Sequence, residues 1–141
     1  EVIPGITSSI SVPASQGIPV TKRGVSESFW VITGTTSSGQ LSNDLHLAAQ
    51  STATVVVLMG TKKLGEIVSS FIQAGKASTP IALIQNGTTA QENMVAGTIE
   101  DIEQKVLIAG IGAPAVIVIG EVVRQSPKLM EIYQEVYSKS E

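Results

Sequence analysis

The segment that most constrains this chain is Thr54-Val55-Val56-Val57-Leu58-Met59-Gly60. Its four residues Val55 to Leu58, three of them β-branched, make an apolar run too short for a helix and suited to a strand covered on both faces. Gly60 closes the run, where the backbone is expected to turn sharply. Beyond it Leu64, Ile67, Val68, Phe71 and Ile72 recur at helical spacing along one side, with Gly75 as the stop. A buried strand feeding a helix is half of an α/β crossover. The loop after such a strand is where these folds keep their ligands. Met59 sits at that lip.

The flanking sequence repeats the pattern. Thr7 or Ser8 can cap a short helix carrying Ile10, Val12 and Ala14, closed by Gly17-Ile18-Pro19. Ser28 to Thr33 reads as a strand ending at Gly34, followed by a Ser/Thr/Gly-rich loop over 35–44 and a helix with Leu41, Leu45, Leu47 and Ala48. Pro80 to Gln85 is a second buried strand running into the turn dipeptide Asn86-Gly87. Glu92 to Gly97 can form a further short strand, with room to return antiparallel. Thr98 is placed to cap a helix bearing Ile99, Ile102, Val106 and Leu107. Ala115 to Ile119 is the last buried strand, and Ser126-Pro127 opens a terminal helix with Leu129, Ile132, Tyr133 and Val136 on one side. About five strands and five helices, mostly alternating, predict a single three-layer α/β domain around a mixed, roughly five-stranded sheet.

Composition removes several functions. There is no cysteine and His46 is the single histidine, which excludes thiol chemistry, Cys-based metal sites and His-rich ones. Net charge is −3 and the nine basic residues are scattered, so no phosphate-tracking surface for nucleic acid is expected. The most apolar segment, 106–120, is interrupted by Gly110, Gly112 and Pro114 and is too short for a membrane span. With no secretory signal visible, the cytoplasm is the expected location. Gly110-Ile111-Gly112 imitates a dinucleotide fingerprint but precedes a strand instead of following one, so it reads as a helix-to-strand connection. Asp44, His46 and the nearby serines make no believable triad.

Several motifs, in order and at matching spacings, resemble one family. They are Val2-Ile3-Pro4-Gly5-Ile6-Thr7-Ser8, Gly17-Ile18-Pro19-Val20-Thr21-Lys22-Arg23-Gly24, Val31-Ile32-Thr33-Gly34, Val57-Leu58-Met59-Gly60, Thr79-Pro80-Ile81-Ala82, Asn86-Gly87-Thr88 with Gln91, and Pro114 to Val123. Each is weak alone. Together they resemble the tetrapyrrole methylases across essentially the whole chain. The resemblance implies methyl transfer from S-adenosylmethionine to two ring carbons of uroporphyrinogen III, giving precorrin-2 on the way to sirohaem or cobalamin. No metal is implied. A relative acting on another tetrapyrrole precursor and a non-catalytic α/β binding module are the alternatives.

The resemblance also implies roles for residues whose local chemistry allows plainer ones. Met59 would pack its thioether beside the adenosyl group, although a strand-end methionine is more often core. Gly87 would let backbone approach the cofactor, although Asn-Gly is first a tight turn. Thr7 and Ser8 would contact the cofactor from the helix start, with Ser8 replacing the family's usual alanine. Ala82 would offer backbone to the adenine edge. Lys22 stands where the family usually has histidine, leaving Arg23 as the candidate for a substrate carboxylate. The family's Gly-x-Gly-Pro-Gly-Asp loop is absent from this chain. The resemblance therefore implies a C-terminal half, with 1–24 an interdomain, cofactor-contacting segment and 25–141 the α/β domain. The implied partners are the tetrapyrrole, an N-terminal domain of the same enzyme, and a second copy in a homodimer. Catalytic residues are not assigned, and the piece alone is expected to be inactive.

Overall fold

In a computed structural model, which describes residues 1–129, helix α1 (Ser8–Ser15) precedes strand β1 (Phe29–Thr33). Then come α2 (Asp44–Gln50), β2 (Thr54–Leu58), α3 (Leu64–Gln73), β3 (Pro80–Gln85), β4 (Asn93–Thr98), α4 (Ile102–Ala109) and β5 (Ala115–Ile119). Single 3₁₀ turns occupy Thr61–Lys63 and Glu121–Gln125. The strand order is β1-β2-β5-β3-β4. β1 pairs with β2 in parallel, and the other three pairings are antiparallel. β1, β2 and β3 therefore share one direction, and all three end on the same side of the sheet.

The central run is the buried strand that its composition demands: Val55, Val56 and Val57 are fully buried. Alternation divides the three central strands cleanly. Val55, Val57, Ile81, Leu83, Ile117 and Ile119 face a core built with Leu45, Ala48, Ile67, Phe71 and Ile102 from the helices. Val56, Ala82, Ile84, Val116 and Val118 face a second core with Val12, Ile18, Val122, Val123 and Leu129. The result is three layers around a mixed sheet of five strands. Burying each such valine fully contributes about 1.5–3 kcal/mol. Because Val12 and Ile18 belong to the second core, residues 8–20 are built into the domain.

Four expectations need correction. The sharp turn after β2 falls on Met59 (φ +55°), whereas Gly60 has an ordinary φ of −108°. Gly60 is a glycine because of crowding: a Cβ there would meet Val57 Cγ1 at 2.7 Å and Ile117 Cδ1 at 3.1 Å. In the Asn86-Gly87 turn, the left-handed residues are Asn86 (φ +49°) and Thr88 (φ +67°), on either side of the glycine. Thr98 ends β4 and caps nothing; its N–H donates to Asp101 Oδ1 at 2.8 Å, because Asp101 is the residue that precedes α4. Ile72 and Leu107 stand on the solvent side of their helices, 48% and 82% exposed. The terminal helix is entered at Pro127, but Ile132, Tyr133 and Val136 lie outside the described residues. Among the described residues no helix is long and apolar enough to cross a membrane.

Candidate functional site

The shared exit end of β1, β2 and β3 is where the candidate site lies. Strand ends leave backbone in transition, and here the transitions are tight. Gly34 after β1 donates its N–H to Leu58 O at 2.7 Å, and Thr35 Oγ1 donates to Met59 O at 3.0 Å. Beside them β5 enters through the cis Ala113–Pro114 bond, and Asn86 N–H donates to Pro114 O at 3.0 Å.

On the α1 side of this end lies a cavity of about 500 Å³, walled by Leu58, Met59, Ile84, Gly87, Val116 and Val12, with Ser8, Asn86 and Thr89 adding polar groups. A largely apolar cleft of this size with a few polar groups is the usual form of a small-molecule site. Met59 is 68% exposed, a large apolar side chain held over the cleft by a left-handed backbone. Such backbone in a residue with a Cβ costs about 1–2 kcal/mol. It persists where the surroundings dictate it, often at ligand sites. Gly87 brings the β3–β4 loop against α1, and a Cβ there would lie 2.5 Å from Val12 Cγ1.

The structure brings Ser8, Met59 and Gly87 to one cavity. Thr7 stands just outside it as the cap of α1, its Oγ1 accepting from Ser9 N–H at 3.3 Å. Ala82 is fully buried in mid-strand and paired on both sides, with Ala96 and Val118. Its backbone groups lie within the sheet ladder, so no free edge faces a ligand. Arg23 lies at the opposite end of the sheet. It shares a hollow with Thr21, Ser26 and Glu27, and Ser26 Oγ accepts from Thr54 N–H at the start of β2. Within one copy of the chain, Arg23 does not meet Met59. A second hollow, about 530 Å³, lies across the outer sides of α2 and α3 between His46, Lys63, Glu66 and Gln73, and holds none of the expected site residues.

Glu92 is the residue that the sequence did not single out. Its Oε2 accepts from Thr88 N–H at 2.7 Å and from Ser15 Oγ at 3.1 Å; its Oε1 accepts from Gln16 Nε2 and lies 3.8 Å from Lys128 Nζ. The carboxylate thereby ties the 86–92 loop to the end of α1, the two segments that frame the cavity. Little in the local pattern marks it: Thr88 lies four residues away, but Ser15 and Gln16 are 77 and 76 residues away. The Thr88 N–H first, with Gln16, Ser15 and Lys128, holds the Glu92 carboxyl below its ordinary pKa against the opposing effect of burial. A depressed folded pKa means that the ionised clamp stabilises the fold above the unfolded value, near pH 4.5. That stabilisation is lost as pH falls through the lower folded value. In thermal melts, Glu92→Gln should therefore be less stable than wild type at neutral pH, the gap closing in acid. A gap that stays constant from neutral pH down to pH 3 would count against the clamp.

The sequence model for Tetrapyrrole (Corrin/Porphyrin) Methylases matches residues 1–103. The uroporphyrinogen-III C-methyltransferase of Methanocaldococcus jannaschii is 43% identical over 125 residues, covering 87% of this chain and 52% of that protein. The Bacillus subtilis protein of the same name is 44% identical over 126 residues, covering 87% of this chain and 26% of its own length. Among solved structures, uroporphyrin-III C-methyl transferase from Thermus thermophilus, complexed with S-adenyl homocysteine, superposes with a TM-score of 0.75 at 31% identity, over 88% of this chain and 53% of that one. The chain thus spans about half or less of the relatives it matches. The family model covers well over half of the chain, and the fold superposes on a solved member: this chain belongs to the tetrapyrrole methylases.

Proposed function

We propose that this chain forms one wall of the cleft in which two methyl groups pass in turn, each from its own S-adenosylmethionine, to two ring carbons of uroporphyrinogen III, giving precorrin-2. The observation that carries this reading is the open apolar cavity at the common end of β2 and β3, with Met59 and Gly87 on its walls. The fit to an adenosyl group is chemical: apolar and polarisable surface for its faces, with Ser8, Asn86 and Thr89 for its edges. When bound, S-adenosylmethionine supplies an electrophilic methyl on a sulfonium, the sulfur leaving as a neutral thioether as the pyrrole carbon takes the methyl. The chain's residues then have only to hold. Val12, Leu58 and Val116 exclude water from one side of the cleft, and Met59 covers the ligand at its rim. Glu92 fixes the α1 wall against the loop wall. Such positioning is worth about 7–11 kcal/mol in an in-line transfer.

The remaining wall would come from outside this chain, and so would the residue that accepts the proton after transfer. Ala82 then supports the cavity from beneath without touching ligand. A substrate role for Arg23 would require a second copy, as in a homodimer, or another part of the protein to bring ligand to the far end of the sheet.

Calorimetric titration with S-adenosylhomocysteine of the whole protein, in which the remaining wall is present, tests the reading; this chain by itself is expected to bind weakly or not at all. Micromolar binding that survives Arg23→Ala with its affinity within twofold is expected. Absence of binding, or equal binding by a variant whose cavity is filled at Gly87, would sink it.

A further inference from the structure

Met59, Pro114 and Ala115 line a second cavity as well, about 370 Å³, on the other side of the methionine. Its remaining walls are Thr35, Thr61, Lys62 and Ala113. The two hollows thus share one partition but differ in chemistry. The second has an apolar floor, two hydroxyls and one ammonium, and none of its lining residues is acidic.

The cation stands out by its lack of a partner among the described residues. Its neighbour Lys63 pairs with Glu66 at 2.9 Å, Lys105 with Asp101, Arg124 with Glu121 and Lys128 with Glu92. Lys22 donates to Gln125 and Lys76 to Ser51 O. Among the described cations, only Lys62 and Arg23 make no ion pair or side-chain hydrogen bond, and Arg23 is at the other end of the sheet. Thr35 is committed through its hydroxyl proton to Met59 O, whereas the Thr61 hydroxyl has no partner among the described residues.

We propose that Lys62 binds a carboxylate arm of the tetrapyrrole acceptor in this second cavity, where Pro114, Ala115 and Met59 carry its ring edge. This rests on the methyltransfer reading and adds to it the residue that recognises substrate charge. Acceptor and methyl donor then lie on opposite sides of Met59, so that side chain sits where the two ligands meet. An ammonium suits this task as a point charge on a flexible stem that can follow any of several arms. Thr61 can donate a second hydrogen bond to the same carboxylate.

The test is a fluorescence titration of the whole protein with uroporphyrin III, a polycarboxylate probe that needs no turnover. Lys62→Met should weaken binding about tenfold, the loss expected for one charge-assisted contact. Lys62→Arg should restore most of it, and S-adenosylhomocysteine affinity should be unchanged in both. The octamethyl ester of the probe should bind wild type and Lys62→Met alike. Equal uroporphyrin binding by wild type and Lys62→Met would overturn the subsite. So would a wild type that takes up S-adenosylhomocysteine but no uroporphyrin. Failure to bind S-adenosylhomocysteine would instead sink the reading of the larger cavity, and the Lys62 comparison would still be decided by the porphyrin.

Discussion

Gly34→Ala is expected to lower stability by about 3 kcal/mol, at the upper end for overpacking, which in a domain of this size is a fall of roughly 10 °C in melting temperature. A Cβ at Gly34 would lie 2.3 Å from Gly60 Cα and 2.9 Å from both Gly60 N and Met59 O. All three are backbone atoms, so no rotamer change relieves the clash. The ends of β1 and β2 would have to part, stretching the Gly34 N–Leu58 O bond and displacing Met59. Gly39→Ala is the control. Gly39 has φ +78° but nothing within 4 Å of its Cβ position, so it should lose only the strain of a left-handed alanine, about 1 kcal/mol. Denaturant unfolding of the two variants decides the matter. A loss in Gly34→Ala no larger than in Gly39→Ala would count against the contact between the strand ends.

Met59→Gly should move stability and affinity in opposite directions. Glycine takes up φ +55° without strain, which returns about 1 kcal/mol, partly offset by the greater freedom of the unfolded chain. Stability should therefore hold or rise by up to about 1 kcal/mol. The methionine side chain, 68% exposed without ligand, would be covered by a bound adenosyl group. Losing that burial should weaken S-adenosylhomocysteine binding about tenfold. Melting curves and a titration on the same preparation give both numbers. A glycine variant that binds as tightly as wild type would remove Met59 from the site.

Much of this was legible in the sequence because local chemistry and tertiary structure agree there. The valine run at 55–57, the strands around Ile81 and Ile117 and the stop at Gly75 need no knowledge of distant partners. The errors have a common cause. Gly60 and Gly87 look like turn glycines, yet their demand comes from packed side chains: Val57, Ile117 and Ile67 for one, Val12 for the other. Backbone turning passed instead to Asn86, which tolerates left-handed backbone, and to Met59 and Thr88, which no propensity rule would choose. Thr98 resembles a cap until Asp101 claims its N–H. Of the residues that motif resemblance named, Ser8, Met59 and Gly87 line one cavity. The resemblance could not reveal that Ala82 is closed off by its sheet neighbours or that Arg23 faces the far end. Glu92 and Lys62 gain their meaning only from three-dimensional neighbours.

The three left-handed residues have one more consequence. Met59, Asn86 and Thr88 all border the larger cavity or the loop that frames it, so unfavourable backbone energy is concentrated at one rim of an otherwise regular domain. Segments that store such energy open locally at less cost than the core strands. In amide hydrogen exchange, the rim should therefore surrender its protons well before Val55 to Val57. Occupation of the cleft should slow exchange there first, by a factor that reports ligand affinity through local opening alone, with the core amides left as an internal clock.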